Sequence, residues 1–208
     1  MGGVFDLRRR REKSKLVCFS ESKSKYRAMP FILLVGFGIL FKGNHLKYVQ
    51  NKMIKIIPYT EKYKNDVVHL VLDIYEKEFD FIGYDRPDIY NISGTYQKDA
   101  DSNFWLALNN EELVGTVGLL NKTDKVAYLK RMVVKKEFRK QSLGQQLLQT
   151  AIMFAKKHGF KTIYAGTVSE NPDAIKFYEH HGFLRCNDAL PDITAAKESV
   201  CLKLDLSA

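Results

Sequence analysis

Apolar and polar residues alternate along "MIKIIPY" (53–59), and Pro58 closes the run, so the pattern predicts a strand at the head of a domain. The period then lengthens. Val67, Leu70, Val71 and Ile74 recur three and four residues apart, which predicts a helix from Thr60, its candidate cap, to about Phe79. "DFIGYDRPD" (80–88) reads as a loop, and residues 88–99 as a second, short helix. "NFWLALN" and "NEELVGTVGLLN" predict a hairpin folded over Asn109–Glu111, and "AYLKRMVV" a further strand.

The clearest helical period spans residues 143–157. There Leu143, Leu147, Ala151 and Phe154 make one stripe that Leu148, Ile152 and Ala155 widen, and Gly159 stops it from the C′ position. "KTIYAGTV" predicts a strand, and "NPDAIKFYEHH" a helix with Asn171 as N-cap and Pro172 at its first position, ended by Gly182. "GFLRCN" and "ESVCLKLDL" supply two closing strands. Strands alternating with helices, with hairpins at both ends, imply an α/β (α+β mixed) domain: a twisted mixed sheet of six to seven strands with helices on both faces.

The formal net charge of +9 suggests a nucleic-acid partner until it is located. Residues 1–52 hold 12 Lys and Arg against 3 Asp and Glu, whereas residues 53–208 hold 21 of each, so the excess belongs entirely to the first quarter of the chain. No nucleic acid is therefore expected to bind the folded domain, 53–208. The basic extension 1–52 carries "RRRREKSK" and the 13 uncharged residues of "MPFILLVGFGILF" (29–41). A spanning helix needs about 20 apolar residues, and no small-residue cleavage site follows, so neither a transmembrane helix nor a signal peptide fits well. Three readings stay open for this segment: a disordered arm, an extension preceding a natural start at Met53, or a membrane-associated stretch making weak membrane contact. Cys18, Cys186 and Cys201 are too few and too scattered for a disulfide framework or a zinc site, so reduced thiols and no metal are expected.

Two stretches carry candidate chemistry. "RKQSLGQQLL" (139–148) delivers a helix N-terminus straight after a strand, where unpaired N–H groups and the helix dipole favour an anion. Arg139 and Lys140 add charge, and Gly144 lets backbone approach a ligand closely. In the second, "SENPDAIKFYEHHGF" (169–183), Asn171 opens a helix and Tyr178 lies seven residues on, along the same face. Taken alone, these are an N-cap and a half-buried aromatic. His180 and His181 fall in that helix's last turn, where the dipole favours them, and Trp105 beside Phe104 reads as core.

Together, and about 30 residues apart, the two stretches resemble the GCN5-related N-acetyltransferase (GNAT) superfamily in its bacterial, single-domain type. Arg139, Ser142 and Gly144 stand where the family's Gln/Arg-x-x-Gly-x-Gly/Ala motif has its fixed residues. Asn171, Ala174, Phe177–Tyr178 and Gly182–Phe183 match its second block. "LKRMVV" is similar to the family's fourth strand and "ELVGTVGL" to its third, so the likeness spans about residues 53–206.

The resemblance implies a GNAT-like sheet, acetyl-CoA as co-substrate, and transfer of its acetyl group to an unidentified primary amine by direct attack in a ternary complex. Main-chain groups of Met132 and Val134 would pair with the pantetheine arm between two splayed strands. N–H groups from Arg139 through Lys140, Gln141, Ser142, Leu143 and Gly144 to Gln145 would hold the pyrophosphate. Asn171 would bond the cofactor arm, Tyr178 would protonate the leaving thiolate, and the Val134 N–H would stabilise the oxyanion. An acyl-CoA-binding module without catalysis, or the same enzyme tethered to a membrane by residues 29–41, are the alternatives. A cytoplasmic location follows from the co-substrate, and a homodimer is compatible with the reading. Two departures stand out. Ser142 replaces the first motif glycine, and Tyr128 stands where many relatives carry a glutamate base, leaving Glu76, Glu78, Asp85, Asp88 or Tyr128 itself to drain the amine's proton.

Overall fold

The computed structural model describes residues 53–79, 86–123, 125–187 and 199–207. The readings offered for residues 1–52, Cys18 among them, fall outside these. The strands are Ile54–Pro58 (β1), Asn103–Asn109 (β2), Glu112–Thr123 (β3), Val126–Val134 (β4), Thr162–Val168 (β5), Leu184–Cys186 (β6) and Ser199–Asp205 (β7). The helices are Lys64–Phe79 (α1), Pro87–Tyr90 (α2), Ile92–Tyr96 (α3), Leu143–Lys157 (α4) and Pro172–His180 (α5). One sheet runs β1-β2-β3-β4-β5-β7-β6, antiparallel throughout except where β4 meets β5. The mixed seven-stranded sheet expected from the sequence is what forms.

Helices cover both faces, and β2 shows why its sequence is an unbroken apolar run. Trp105 and Ala107 pack with Leu147, Leu148 and Ala151 of α4, while Phe104, Leu106 and Leu108 pack with Val67 and Val71 of α1 and Tyr96 of α3. Gly118 on β3 makes room for the second layer. A Cβ there would come within 2.6 Å of the Tyr96 ring and 2.9 Å of Phe104, so only glycine lets α3 lie this close to the sheet.

Several local expectations change. Thr60 makes no side-chain cap, and Glu61–Tyr63 form a 3₁₀ turn ahead of α1. The short helix expected over 88–99 is two helices. Between them Asn91 accepts the Gly94 N–H at 3.1 Å and caps α3. The hairpin turn is narrower than expected, with only Asn110 and Glu111 at its tip, both left-handed (φ 49° and 73°), as the twist of a two-residue hairpin requires.

The thiol expectation is also corrected. Cys186 and Cys201 stand directly opposite each other on β6 and β7, Cα atoms 5.3 Å apart, and form a disulfide. Spacing along the chain could not reveal this, because the pairing comes from strand register. Thiol titration of the unfolded, unreduced protein should therefore find one of the three cysteines free, and all three after reduction. Three thiols before reduction would show that the pair is open.

Candidate active site

The sheet parts at its centre. β4 and β5 are paired only from Val126–Thr162 to Leu129–Ala165. Beyond that point β4 runs on to Val134 beside β3, and β5 runs on to Val168 beside β7. A wedge opens between two strands that still carry main-chain donors and acceptors along their facing edges. Lys135 donates its N–H to the Val114 carbonyl at 2.9 Å, and Val133 is registered with Thr116. Main-chain groups alternate sides along an antiparallel strand, so those of Val134 face the wedge. Its carbonyl already accepts Arg139 Nε at 2.8 Å. Opposite Val117 the ladder slips by one residue and β4 bulges at Arg131 and Met132.

α4 starts at the mouth of this wedge. Ser142 precedes it in the left-handed region (φ 60°, ψ 7°), and Lys140 is left-handed as well (φ 57°). The first bond of the helix runs from the Gln146 N–H to the Ser142 carbonyl at 3.0 Å, so the N–H groups of Leu143, Gly144 and Gln145 project from its N-terminus. The left-handed backbone explains the motif glycine at this position, and Ser142 adopts the same conformation with its side chain exposed. At Gly144 a Cβ would sit 3.5 Å from Phe177 and 3.8 Å from Met132, ordinary contacts that fit the glycine-or-alanine rule there.

One of the expected cradle donors is used elsewhere. The Arg139 N–H donates to the Lys136 carbonyl at 3.2 Å, and its guanidinium forks onto both oxygens of Glu78 at 2.7 Å. Gln141 Nε2 turns back to the Glu137 carbonyl at 2.8 Å. The exposed charge near the cradle is therefore that of Lys140.

α5 closes the far side. Asn171 caps it, its Oδ1 accepting the Ala174 N–H at 3.1 Å, so the amide nitrogen is the group left for a cofactor arm. Tyr178 is buried, its hydroxyl 3.7 Å from Met132 Sδ, with Phe177 and Phe183 rings against it. Burial, and to a lesser degree the neighbouring Tyr75, push its phenol well above the ordinary tyrosine range, so it stays a proton donor at every physiological pH. His181 Nδ1 donates to the Phe177 carbonyl at 2.7 Å and serves the helix end.

On the other face of β4 lies a polar cluster that the sequence did not disclose. Arg131 forks onto Asp88 at 2.6 and 2.8 Å, and Tyr96 donates to the same carboxylate at 2.7 Å. Burial opposes the charge on Asp88, but Arg131 outweighs it and holds the carboxyl below its usual range. The Tyr75 ring lies under both Arg86 (5.1 Å) and Arg131 (5.6 Å). Of the residues considered as a base, Asp88 and Glu78 are thus ion-paired, Glu76 is exposed on α1, and Asp85 is outside the described residues. Tyr128 lies where β4 and β5 are still paired, its ring against Tyr164 and under Lys122. A groove of about 670 Å³ follows α1 past Asp66, Asp73 and Glu78, but neither Met132 nor Tyr178 lines it.

A parted parallel pair, a bulged strand and a helix N-terminus at the opening make a site for an extended ligand that carries an anionic group. The family model of the acetyltransferase (GNAT) family matches residues 66–183, and the chain belongs to that family. It is 33% identical to the probable N-acetyltransferase camello of Xenopus laevis, over 60% of this chain and 60% of that protein. It is 30% identical to the N-acetylaspartate synthetase of Danio rerio, over 51% of this chain and 40% of that one. Among solved structures, a GNAT-family acetyltransferase from Staphylococcus aureus matches with a TM-score of 0.67 and 33% identity, over 74% of this chain and 99% of that one. The chain thus spans about three fifths of the frog relative and two fifths of the fish relative. With frog, fish and bacterial proteins all among the matches, the likeness does not single out the bacterial type.

Two expectations follow from this geometry. Ser142→Gly relieves a left-handed strain of roughly 1–2 kcal/mol and adds about 0.5–1 kcal/mol of unfolded-chain freedom. It should leave stability equal or slightly higher and acetyl-CoA affinity equal or tighter, whereas a marked loss in calorimetry would make the hydroxyl itself a ligand. The second concerns pH. Tyr178 and Tyr96 are both raised, mainly by burial, so their contribution to stability is complete below the ordinary tyrosine pKa of ~10 and is lost as pH climbs past it. Asp88 is lowered, so its contribution is present above the ordinary carboxylate pKa of ~4 and is lost below. The Tm should therefore decline from about pH 10 upward, less steeply in Tyr178→Phe. An identical alkaline decline in that variant would remove Tyr178 from the effect.

Proposed function

We propose that the chain transfers the acetyl group of acetyl-CoA to a primary amine by direct attack in a ternary complex. The observation that carries this reading is the convergence of three features on one wedge: the free edge of β4, the N-terminus of α4 and the Tyr178 hydroxyl beside Met132. In this reading the pantetheine arm lies along β4 as an added strand, bonding main-chain groups of Met132 and Val134. The pyrophosphate rests on the N–H groups of Leu143, Gly144 and Gln145, with Lys140 alongside. Asn171 turns its amide nitrogen to the arm.

The chemistry follows from these positions. The neutral amine adds to the thioester carbon, the C–S bond breaks, and one proton moves from nitrogen to sulfur. CoA leaves as a thiolate of pKa near ~8.5, and Tyr178, kept protonated by its surroundings, donates to the sulfur as charge develops there. Asp88 and Glu78 are bound in ion pairs, so the amine's first deprotonation is assigned to solvent. For the acceptor, the name of the fish relative, an N-acetylaspartate synthetase, points to an amine that carries a carboxylate. The cytoplasm, where acetyl-CoA is at hand, is the location this reading favours.

Calorimetry with acetyl-CoA, followed by thiol release against amino acids and polyamines, tests the proposal. Binding with turnover of amino acids before polyamines is expected. Binding without turnover of any amine would favour an acyl-CoA-binding module, and polyamines as the better acceptors would overturn the acceptor class. Tyr178→Phe should lower kcat by about 10- to 100-fold with little change in acetyl-CoA affinity, and an unchanged kcat would remove Tyr178 from the mechanism.

A further inference from the structure

Arg131 is held in an unusual way. Its φ is 51°, in the left-handed region that residues with a Cβ rarely enter, and it sits in the middle of a strand. Such a conformation persists only where its surroundings over-determine it. Here they do. The Arg131 and Asp88 side chains are only 13% and 11% exposed, and the guanidinium is fixed by both Asp88 oxygens. Tyr96 anchors that carboxylate from α3, and Thr116 Oγ1 donates to the Arg131 carbonyl at 2.7 Å.

The last of these bonds fixes a direction. The peptide between Arg131 and Met132 is trans, so its C=O and N–H point opposite ways. The carbonyl is turned to Thr116 on β3, so the Met132 N–H is turned to the wedge. Met132 is also the residue whose sulfur lies 3.7 Å from the Tyr178 hydroxyl. Met132 thus links the two: it carries the wedge-facing N–H, and its side chain touches the Tyr178 phenol.

We propose that Asp88 is a positioning residue: through Arg131 it holds the β4 bulge so that the Met132 N–H is aimed at the thioester carbonyl oxygen, while Tyr178 addresses the sulfur. Val134, assigned the oxyanion from the sequence, then serves the pantetheine arm. The inference rests on the acetyl-transfer reading above. It differs from a merely structural role for the ion pair, because the pair's effect passes through one backbone torsion and glycine can adopt that torsion without any clamp.

Infrared spectroscopy of acetyl-CoA labelled with ¹³C at its carbonyl tests this without any acceptor amine. Bound to the wild-type protein, the carbonyl stretch should move to lower frequency than in buffer, as a hydrogen bond to oxygen requires. Asp88→Asn should lose most of that shift while the dissociation constant from calorimetry changes less than threefold. The double variant Asp88→Asn/Arg131→Gly should recover at least half of it. Should Asp88→Asn fail to fold, Tyr96→Phe removes a single bond to the carboxylate and should give an intermediate shift. A full shift in Asp88→Asn, or a double variant no better than the single one, would overturn the proposal. A bound carbonyl that is unshifted in the wild type would sink this inference alone, whereas no binding of acetyl-CoA by the folded protein would sink the acetyl-transfer reading with it.

Discussion

A parallel strand pair that stops pairing halfway is the constraint on which the rest of this molecule depends. Between Leu129 and Val134 the main chain of β4 has β3 on one side and an open wedge on the other. Backbone donors and acceptors in the middle of a sheet must be satisfied by something, and among the described residues no strand pairs with β4 here. Water or an extended ligand must take the place of the missing strand. β5 is paired with β7 over its whole length, Thr162–Asp205 to Val168–Ser199, so past Ala165 it is its β4-facing edge that opens onto the wedge.

What turns β4 away is a bulge, and what fills the rim is a helix start; both need left-handed residues that are not glycine. The two are handled differently. Arg131 is boxed in by Asp88, Thr116 and the Tyr75 ring, so its backbone is fixed by side chains from three elements. Ser142 is exposed and has no cap bond, and its conformation follows from the need to swing the chain from the Lys136–Phe138 turn into α4. In the proposed reading the first arrangement supplies an aimed N–H, and the second a looser set of N–H groups that suits a pyrophosphate held by several donors at once.

Much of this was legible in the sequence, and the division follows the range of the interactions. The order of strands and helices, the stripe of α4 and the Asn171 cap depend on residues a few positions apart, and their periodicity or chemistry shows in the chain. Of the candidate site, Ser142, Gly144, Asn171 and Tyr178 belong to two local motifs and could be named from the chain, whereas the approach of Gly144 to Phe177 and Met132 comes from the fold alone. The Arg131–Asp88 and Arg139–Glu78 pairs join residues 43 and 61 positions apart, and nothing local marks either partner. The same holds for Cys186 and Cys201, which meet only through the β6–β7 register. Arg139 is the instructive case. Its charge beside the motif suggested a phosphate contact, yet Glu78 on α1, 61 positions away, takes both ends of its guanidinium.

The missing glutamate on β4 also has a physical context. A carboxylate that acts as a base must have lone pairs free and a pKa that lets it accept a proton. Asp88 meets neither condition, since three donated hydrogen bonds engage its oxygens and Arg131 holds it ionised. The proposed part of Asp88 is therefore geometric: it fixes the strand that presents the N–H groups. In the proposed mechanism, proton movement is left to the amine, the solvent and the phenol of Tyr178. The transition state is then stabilised by where the backbone points, and the proposed part of the Arg131–Asp88 pair is to decide that direction.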